Sequence, residues 1–124
     1  MNFLRMFAVS LLVGLVMWAA PVGAQTAQFL SVIEDLPLMP GLTEETDAAM
    51  SFESADGRIA ETVARGVMAG TVVKGFYADA LPQLGWQPVR DGGFQRGNEH
   101  LSVEITEIAG QSVAVRFRLR PSGR

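Results

Sequence analysis

Strict alternation of apolar and polar residues predicts two adjacent β-strands near the carboxyl terminus. Residues 100–107 and residues 112–120 each place an apolar side chain at every second position, which is the pattern of a half-buried strand. The inward side chains are Leu101, Val103 and Ile105 in the first strand, and Val113, Val115, Phe117 and Leu119 in the second. A register that keeps both sets on one face places Glu104 opposite Arg116, which is a favourable cross-strand pair.

A spacing of three and four residues predicts one amphipathic helix in the middle of the chain. The apolar stripe of this helix consists of Val72, Val73, Phe76, Tyr77, Ala80, Leu81 and Leu84. Thr71 is the expected N-cap, because its hydroxyl can accept a hydrogen bond from a free backbone N–H. Pro82 lacks a backbone donor, so the helix either ends there or bends in its last turn. Gly85 is then expected to close it.

Shorter strands are predicted on either side of the helix. Residues 49–53 and 58–64 flank a turn that contains an Asp-Gly pair, which is a strong hairpin signal. The second strand alternates imperfectly, because Glu61 shares a face with Ile59 and Val63. This irregularity predicts either a bulge or an exposed strand edge at Glu61. Two short strands are predicted between the helix and the two carboxyl-terminal strands, at residues 86–90 and 94–96.

The order of these elements predicts an α+β fold. We expect an antiparallel sheet of five to six strands, in the order ββαββββ, with the amphipathic helix packed on one face. The other face of such a sheet is solvated. The α+β domain is expected to span residues 48–120, after an extended acidic segment at residues 25–47 and before a short tail at residues 121–124.

The first 24 residues are typical of a secretory signal peptide. Arg5 supplies a positive charge, residues 6–20 form an uncharged apolar run, and small residues follow it. We expect cleavage between Ala24 and Gln25, which leaves a periplasmic or secreted protein with no transmembrane span. An uncleaved anchor is the alternative, but residues 21–23 interrupt the run before the roughly 20 apolar residues that a spanning helix needs.

The composition argues against several classes of function. The 124 residues include no cysteine and one histidine, His100, at an outward strand position, so thiol catalysis, a serine triad and a two-histidine zinc site lack their parts. Asp56 with Glu53 or Glu61 remains a carboxylate pair, but acids beside a turn are normally solvated. No glycine-rich nucleotide motif is present, so we expect a non-enzyme without cofactor or metal.

Charge is distributed unevenly along the chain, whose formal net charge is −3. Residues 25–57 contain seven acids and no base. Such a segment either docks on a basic surface or forms a solvated face. An acidic exported protein lacks the net basic surface that nucleic-acid binding requires, so nucleic acid is not an expected partner.

Two parts of the sequence are candidate partner-binding surfaces. Residues 36–42 contain two prolines that favour an extended backbone, so Leu38 and Met39 either cover the core as a lid or form a stiff docking strip. Arg116, Arg118 and Arg120 share the outward face of the last strand. This row of arginines either protects the sheet against aggregation or binds an envelope protein or an anionic surface.

Tyr77 and Trp86 support a different interpretation of the same fold. If the helix and the sheet are separated near Tyr77 and Trp86, these two side chains line an apolar cleft for a small ligand. The alternative is that both belong to the core, where the Tyr77 hydroxyl and the Trp86 indole N–H need polar partners. A stripe of aromatic residues at helical spacing is more typical of a core.

The run V-V-K-G-F-Y-A-D-A-L-P-Q-L-G-W at residues 72–86 follows D-L-P-L-M-P-G-L and G-R-I-A-E. It resembles small exported bacterial proteins of uncharacterised function that share a V-x-x-F-Y-x-x-x-L-P-x-L-G-W passage from helix to strand. The architecture is distantly similar to envelope accessory domains of the outer-membrane assembly machinery. Neither resemblance implies catalytic residues. With the export signal, they imply a non-catalytic interaction or accessory module of the cell envelope; the alternative is a periplasmic carrier of a small apolar ligand.

Overall fold

The computed structural model describes residues 27–122, so the predicted signal peptide and its cleavage site lie outside the described range. Six antiparallel strands form one sheet, in the spatial order β1-β2-β6-β5-β4-β3, and one helix accompanies it. The elements are β1 (Thr43–Ser54), β2 (Gly57–Val67), α1 (Gly70–Gln83), β3 (Gln87–Pro88), β4 (Phe94–Arg96), β5 (Glu99–Ile108) and β6 (Ser112–Pro121). The predicted α+β fold and its ββαββββ order are confirmed.

The central strands β5 and β6 pair in the predicted register, with Glu104 opposite Arg116. The inward side chains of β6 are completely buried, and Leu101 of β5 lies beside them in the core. Strand β2 flanks β6 on its other side, where Ala64 lies opposite Val115. The core therefore lies on one face of the sheet, beneath the helix.

Strand β2 buries the face opposite to the one that its apolar pattern indicates. Ala60, Thr62 and Ala64 are fully buried, whereas the face that carries Glu61 is only half-buried. At Gly66, further along the same face, no side chain fits, because a Cβ there would lie 2.7 Å from the Gly41 carbonyl oxygen. An exposed strand edge at Glu61 is wrong, because β2 lies between β1 and β6. The predicted irregularity does occur beside Glu61, between its pair with Met50 and the pair of Val63 with Glu45, but the extra residues belong to β1.

The residues ahead of β1 form a loop that belongs to the core. Its backbone folds back on itself, because the Leu38 N–H donates to the Gln28 carbonyl at 2.7 Å and the Leu30 N–H donates to the Leu36 carbonyl at 3.0 Å. Its buried side chains are Leu30, Ile33, Leu36, Leu38 and Leu42. The loop and the sheet thus form one unit, and the domain boundary predicted between residues 47 and 48 falls inside β1.

Helix α1 is capped by a strand residue. Its N-cap position is Ala69, which has no side-chain cap, so the prediction of Thr71 is wrong. The Gly70 N–H donates instead to Glu107 Oε1 of β5 at 3.0 Å. A carboxylate in this place also interacts favourably with the positive end of the helix dipole.

The predicted end of α1 agrees with the structure, whereas its predicted apolar stripe is only partly buried. The helix continues through Pro82, and Gly85 closes it with a φ of 91°. Only one row of the predicted apolar stripe is buried, namely Val73, Tyr77 and Leu81. Val72 and Leu84 are exposed, because the loop and the sheet cover a narrower strip of the helix than the apolar residues span.

Replacement of Glu107 by alanine should lower the free energy of unfolding by about 1 kcal/mol. The variant leaves the Gly70 N–H without its acceptor. Urea denaturation followed by circular dichroism measures the change. Thr71→Ala is the matched control and should shift the free energy by no more than about 0.5 kcal/mol; equal losses in the two variants would contradict the assigned cap.

Candidate interaction surfaces

The face of the sheet opposite α1 carries the predicted row of arginines. Arg116, Arg118 and Arg120 alternate along β6 with its fully buried residues, so they lie on the opposite face. The side chains of Arg116 and Arg118 are 49% and 39% exposed. Because β6 is a central strand, the row runs along the middle of this uncovered face.

Glu61 of β2 holds two of the three arginines. Its Oε1 lies 3.4 Å from Arg116 Nε, and its Oε2 lies 3.4 Å from Arg118 Nε. On the same face, Arg65 forms an ion pair with Glu45. Exposed pairs of this kind contribute only about 0–1 kcal/mol each to stability. Their main effect is to orient the guanidinium groups and to reduce the positive charge of the row.

Arg120 differs from its two neighbours, since it makes no ion pair within 4.0 Å with any residue of the described range. It borders a shallow cavity of about 860 Å³ that Asp56 and Asn98 also line. On its other side lies a smaller cavity of about 190 Å³, beside His100. Of the three arginines, Arg120 therefore has the guanidinium group that is most available to an external anion.

His100 points towards the uncovered face but is buried there, contrary to its predicted exposure. Its exposed fraction is 8%, because the turn between β3 and β4 folds over the ring. His100 Nε2 lies 3.0 Å from Asp91 Oδ2, and a side chain at Gly93 would come within 2.7 Å of the imidazole. The glycine is therefore required for the turn to pass over the histidine.

The Asp91 carboxylate holds this turn in place. Asp91 Oδ1 accepts a hydrogen bond from the Gly93 N–H at 2.8 Å. This hydrogen bond, followed by the charges of His100 and Arg120, holds the pKa of Asp91 below its usual value. Sequence reasoning missed the pair of Asp91 and His100, although an Asp-Gly-Gly turn that begins nine residues before the single histidine was a visible signal.

The predicted docking strip faces the core. Leu38 is 8% exposed, and Met39 packs against the same core, partly buried. The Tyr77 hydroxyl donates a hydrogen bond to the Pro37 carbonyl at 2.8 Å and accepts one from the Met39 N–H at 3.1 Å. The structure therefore favours a lid over the core, and the side chains of Leu38 and Met39 are not presented to a partner.

Tyr77 and Trp86 also belong to the core and do not line an open cleft. They are 2% and 0% exposed, respectively. The ring of Tyr77 packs edge-to-face against Phe117, with centroids 5.2 Å apart. The guanidinium group of Arg96 lies 4.3 Å from the centre of the Trp86 ring and also pairs with Asp35 at 2.7 Å. Nothing opens between α1 and the sheet at these two side chains.

In addition to Val67, Val72 and Ile108, exposed apolar side chains form two pairs that the sequence did not single out as binding surfaces. Met50 and Phe52 of β1 are 47% and 48% exposed. Phe29 and Leu84, which are 51% and 39% exposed, flank a groove of about 400 Å³ between the amino-terminal loop and α1. The alternation of Met50 and Phe52 is visible in the sequence, but the position of β1 at the margin of the sheet is not.

The titration of Tyr77 tests whether this part of the molecule is closed to water. Burial raises the pKa of Tyr77 to about 12, whereas an exposed tyrosine titrates near pH 10. The folded state therefore keeps a proton that the unfolded state releases, so stability is complete below about pH 10 and declines as the pH rises towards about 12.

Near-ultraviolet absorbance measures this ionisation directly, because the chain contains one tyrosine. The protein unfolded in urea provides the reference. A folded-state midpoint equal to that of the unfolded protein would show that Tyr77 is open to water, as the ligand-carrier hypothesis requires.

Comparisons with models of protein families, with curated proteins and with solved structures found no match. Within residues 27–122, no helix is long and apolar enough to cross a membrane. Any functional conclusion therefore depends on the surfaces of this molecule.

Proposed function

We propose that this protein is an exported, non-catalytic interaction or accessory module of the bacterial cell envelope. In this proposal, the uncovered face of the sheet binds an envelope protein or an anionic surface. The observation that carries it is the exposed row of Arg116, Arg118 and Arg120 on a central strand. Arg120 adds to it, since its guanidinium group makes no ion pair within residues 27–122.

The geometry of the row suits an extended or planar anionic partner. Side chains two positions apart on a strand are separated by roughly 6–7 Å, so the three arginines span roughly 13 Å. A guanidinium group binds a carboxylate or a phosphate through two parallel hydrogen bonds. Glu61 keeps two of the arginines oriented, and a carboxylate or phosphate of the partner replaces or supplements it.

The one histidine supports a non-catalytic role. A general base needs an imidazole that can reach a substrate. Here Nε2 of His100 is occupied by Asp91, and the ring is 8% exposed. In our proposal, the two residues position the turn between β3 and β4 beside Arg120.

Processing at the amino terminus tests the export part of the proposal. When the full chain with a carboxyl-terminal tag is produced in a bacterium, we expect the periplasmic or secreted form to begin at Gln25, because small residues precede it. Mass spectrometry of the intact protein measures this terminus. Val13→Arg, which places a charge in the apolar run, should block processing. A chain that retains Met1 after correct localisation would contradict the cleavage.

Replacement of Arg116, Arg118 and Arg120 together by glutamine tests the binding surface. We expect capture of the partner by crosslinking in the envelope to fall about tenfold. The free energy of unfolding should change by no more than about 1–2 kcal/mol, since the arginine pairs are exposed. Quantitative mass spectrometry of the crosslinked material and a circular-dichroism melt provide the two measurements.

The control is Lys74→Gln, which removes an exposed cation from α1, on the other face of the sheet from the arginine row. This control should retain capture. Sedimentation with vesicles that contain an anionic phospholipid separates a lipid surface from a protein partner. An unchanged set of crosslinked proteins and unchanged vesicle binding in the arginine variant would overturn the proposed surface.

A further inference from the structure

Strand β1 leaves a long edge of the sheet unpaired within residues 27–122. It lies at one margin of the sheet and pairs only with β2. Strand β1 has 12 residues, whereas β3 at the opposite margin has two, one of which is Pro88. Proteins usually shorten, cover or charge such margins, because the free N–H and C=O groups can pair with another extended chain. The margin at β3 is short and contains a proline, whereas the margin at β1 is long and is protected only by acidic side chains and by the register shift between Glu45 and Met50.

The regular part of this margin is residues 50–54, which we call the docking edge. The register of β1 shifts between Glu45 and Met50, whereas the docking edge pairs without interruption with residues 57–61 of β2. Five residues match the usual length of a strand in a sheet. A partner strand can therefore pair along the docking edge without meeting the irregularity.

The docking edge presents apolar side chains on the uncovered face of the sheet. Met50 and Phe52 are 47% and 48% exposed. Phe52 lies opposite Ile59 of β2, which is half-buried. Cross-strand neighbours on one face are the contacts that stabilise a sheet. Apolar side chains of an added strand would therefore cover Met50 and Phe52.

The charges around the docking edge define the rest of the partner. Glu53 belongs to the docking edge, and Asp47 and Asp56 flank it. None of these three acids makes an ion pair within 4.0 Å in the described part of the chain. Residues 25–57 contain seven acids and no base. An incoming strand with lysine or arginine beside these acids is favoured, and one with acids is repelled.

The same charges disfavour a second copy of the chain as the occupant. Pairing of two β1 strands would bring their acidic segments together, which is destabilising. The other margin of a second copy offers only the two residues of β3.

We propose that the docking edge binds an extended peptide segment in which apolar residues alternate with lysine or arginine, as a seventh strand beside β1. This inference rests on the proposed function of an interaction module and defines the chemistry of its partner. The apolar residues of the segment lie beside Met50 and Phe52 on the uncovered face. Its basic residues lie on the other face, next to Glu53.

A synthetic peptide provides the test. A fluorescently labelled seven-residue peptide that alternates lysine with valine and phenylalanine is titrated with the processed protein, and its anisotropy is recorded. We expect saturable binding and slower amide hydrogen exchange at residues 50–54. The same peptide with N-methylated backbone amides, or with glutamate in place of lysine, should bind at least about tenfold more weakly.

Variants of the protein locate the peptide on the docking edge. Met50→Lys combined with Phe52→Lys should weaken binding about tenfold, while Val72→Lys, at an apolar helix residue of similar exposure, should leave it unchanged. Glu53→Lys should weaken binding about threefold, and Asp79→Lys on α1 is its matched control. Circular dichroism confirms that each variant is folded.

Equal binding of the N-methylated peptide, protection outside residues 50–54, or no effect of the double lysine variant would overturn the inference. Dimerisation through β1 in sedimentation, with no binding of the peptide, would overturn it in favour of a second copy. These results are independent of the arginine variant: loss of partner capture in that variant, with no peptide bound at β1, would leave the proposed function standing and remove only the docking edge.

Discussion

The two hydrogen bonds of the Tyr77 hydroxyl hold the amino-terminal loop against the helix. The layer that covers one face of the sheet consists of this loop and this helix, so it depends on these bonds. Helix α1 has 14 residues and is therefore about 21 Å long, too short to cover six strands alone. The loop supplies the missing part of the layer. By bonding both the Pro37 carbonyl and the Met39 N–H, Tyr77 satisfies two backbone groups whose isolated burial would cost about 1–3 kcal/mol each.

A second attachment joins the same loop to the sheet. The Glu44 carboxylate accepts hydrogen bonds from the Ser31 N–H, the Ser31 hydroxyl and the Thr62 hydroxyl, and Thr62 is fully buried. The helix and the loop thus cover one face of the sheet. Tyr77 attaches the loop to the helix, and Glu44 attaches it to the sheet. The opposite face carries exposed arginines and the apolar side chains of β1.

The parts of the fold that could be predicted are those that local periodicity specifies. The alternation of β5 and β6 defines which side chains face the core, so the arginine row and the pairing of Glu104 with Arg116 follow from it. The burial of His100 and the capping of α1 by Glu107 depend on contacts between residues far apart in the chain. The buried face of β2 could not be predicted from its pattern, because the buried residues Ala60 and Ala64 are only weakly apolar. The ion pairs of Glu61 require the register of β2 against β6, which no spacing in the sequence specifies.

The arginine row and the apolar side chains of the docking edge lie on the same face of the sheet, whereas Glu53 of the docking edge lies on the other face. Strand β2 alone separates β1 from β6, so two interstrand spacings, about 10 Å in total, lie between them. Glu61 lies between them on β2, opposite Met50 on one side and Arg118 on the other. A strand added to β1 would place its apolar side chains next to Met50 and Phe52, one strand away from Glu61.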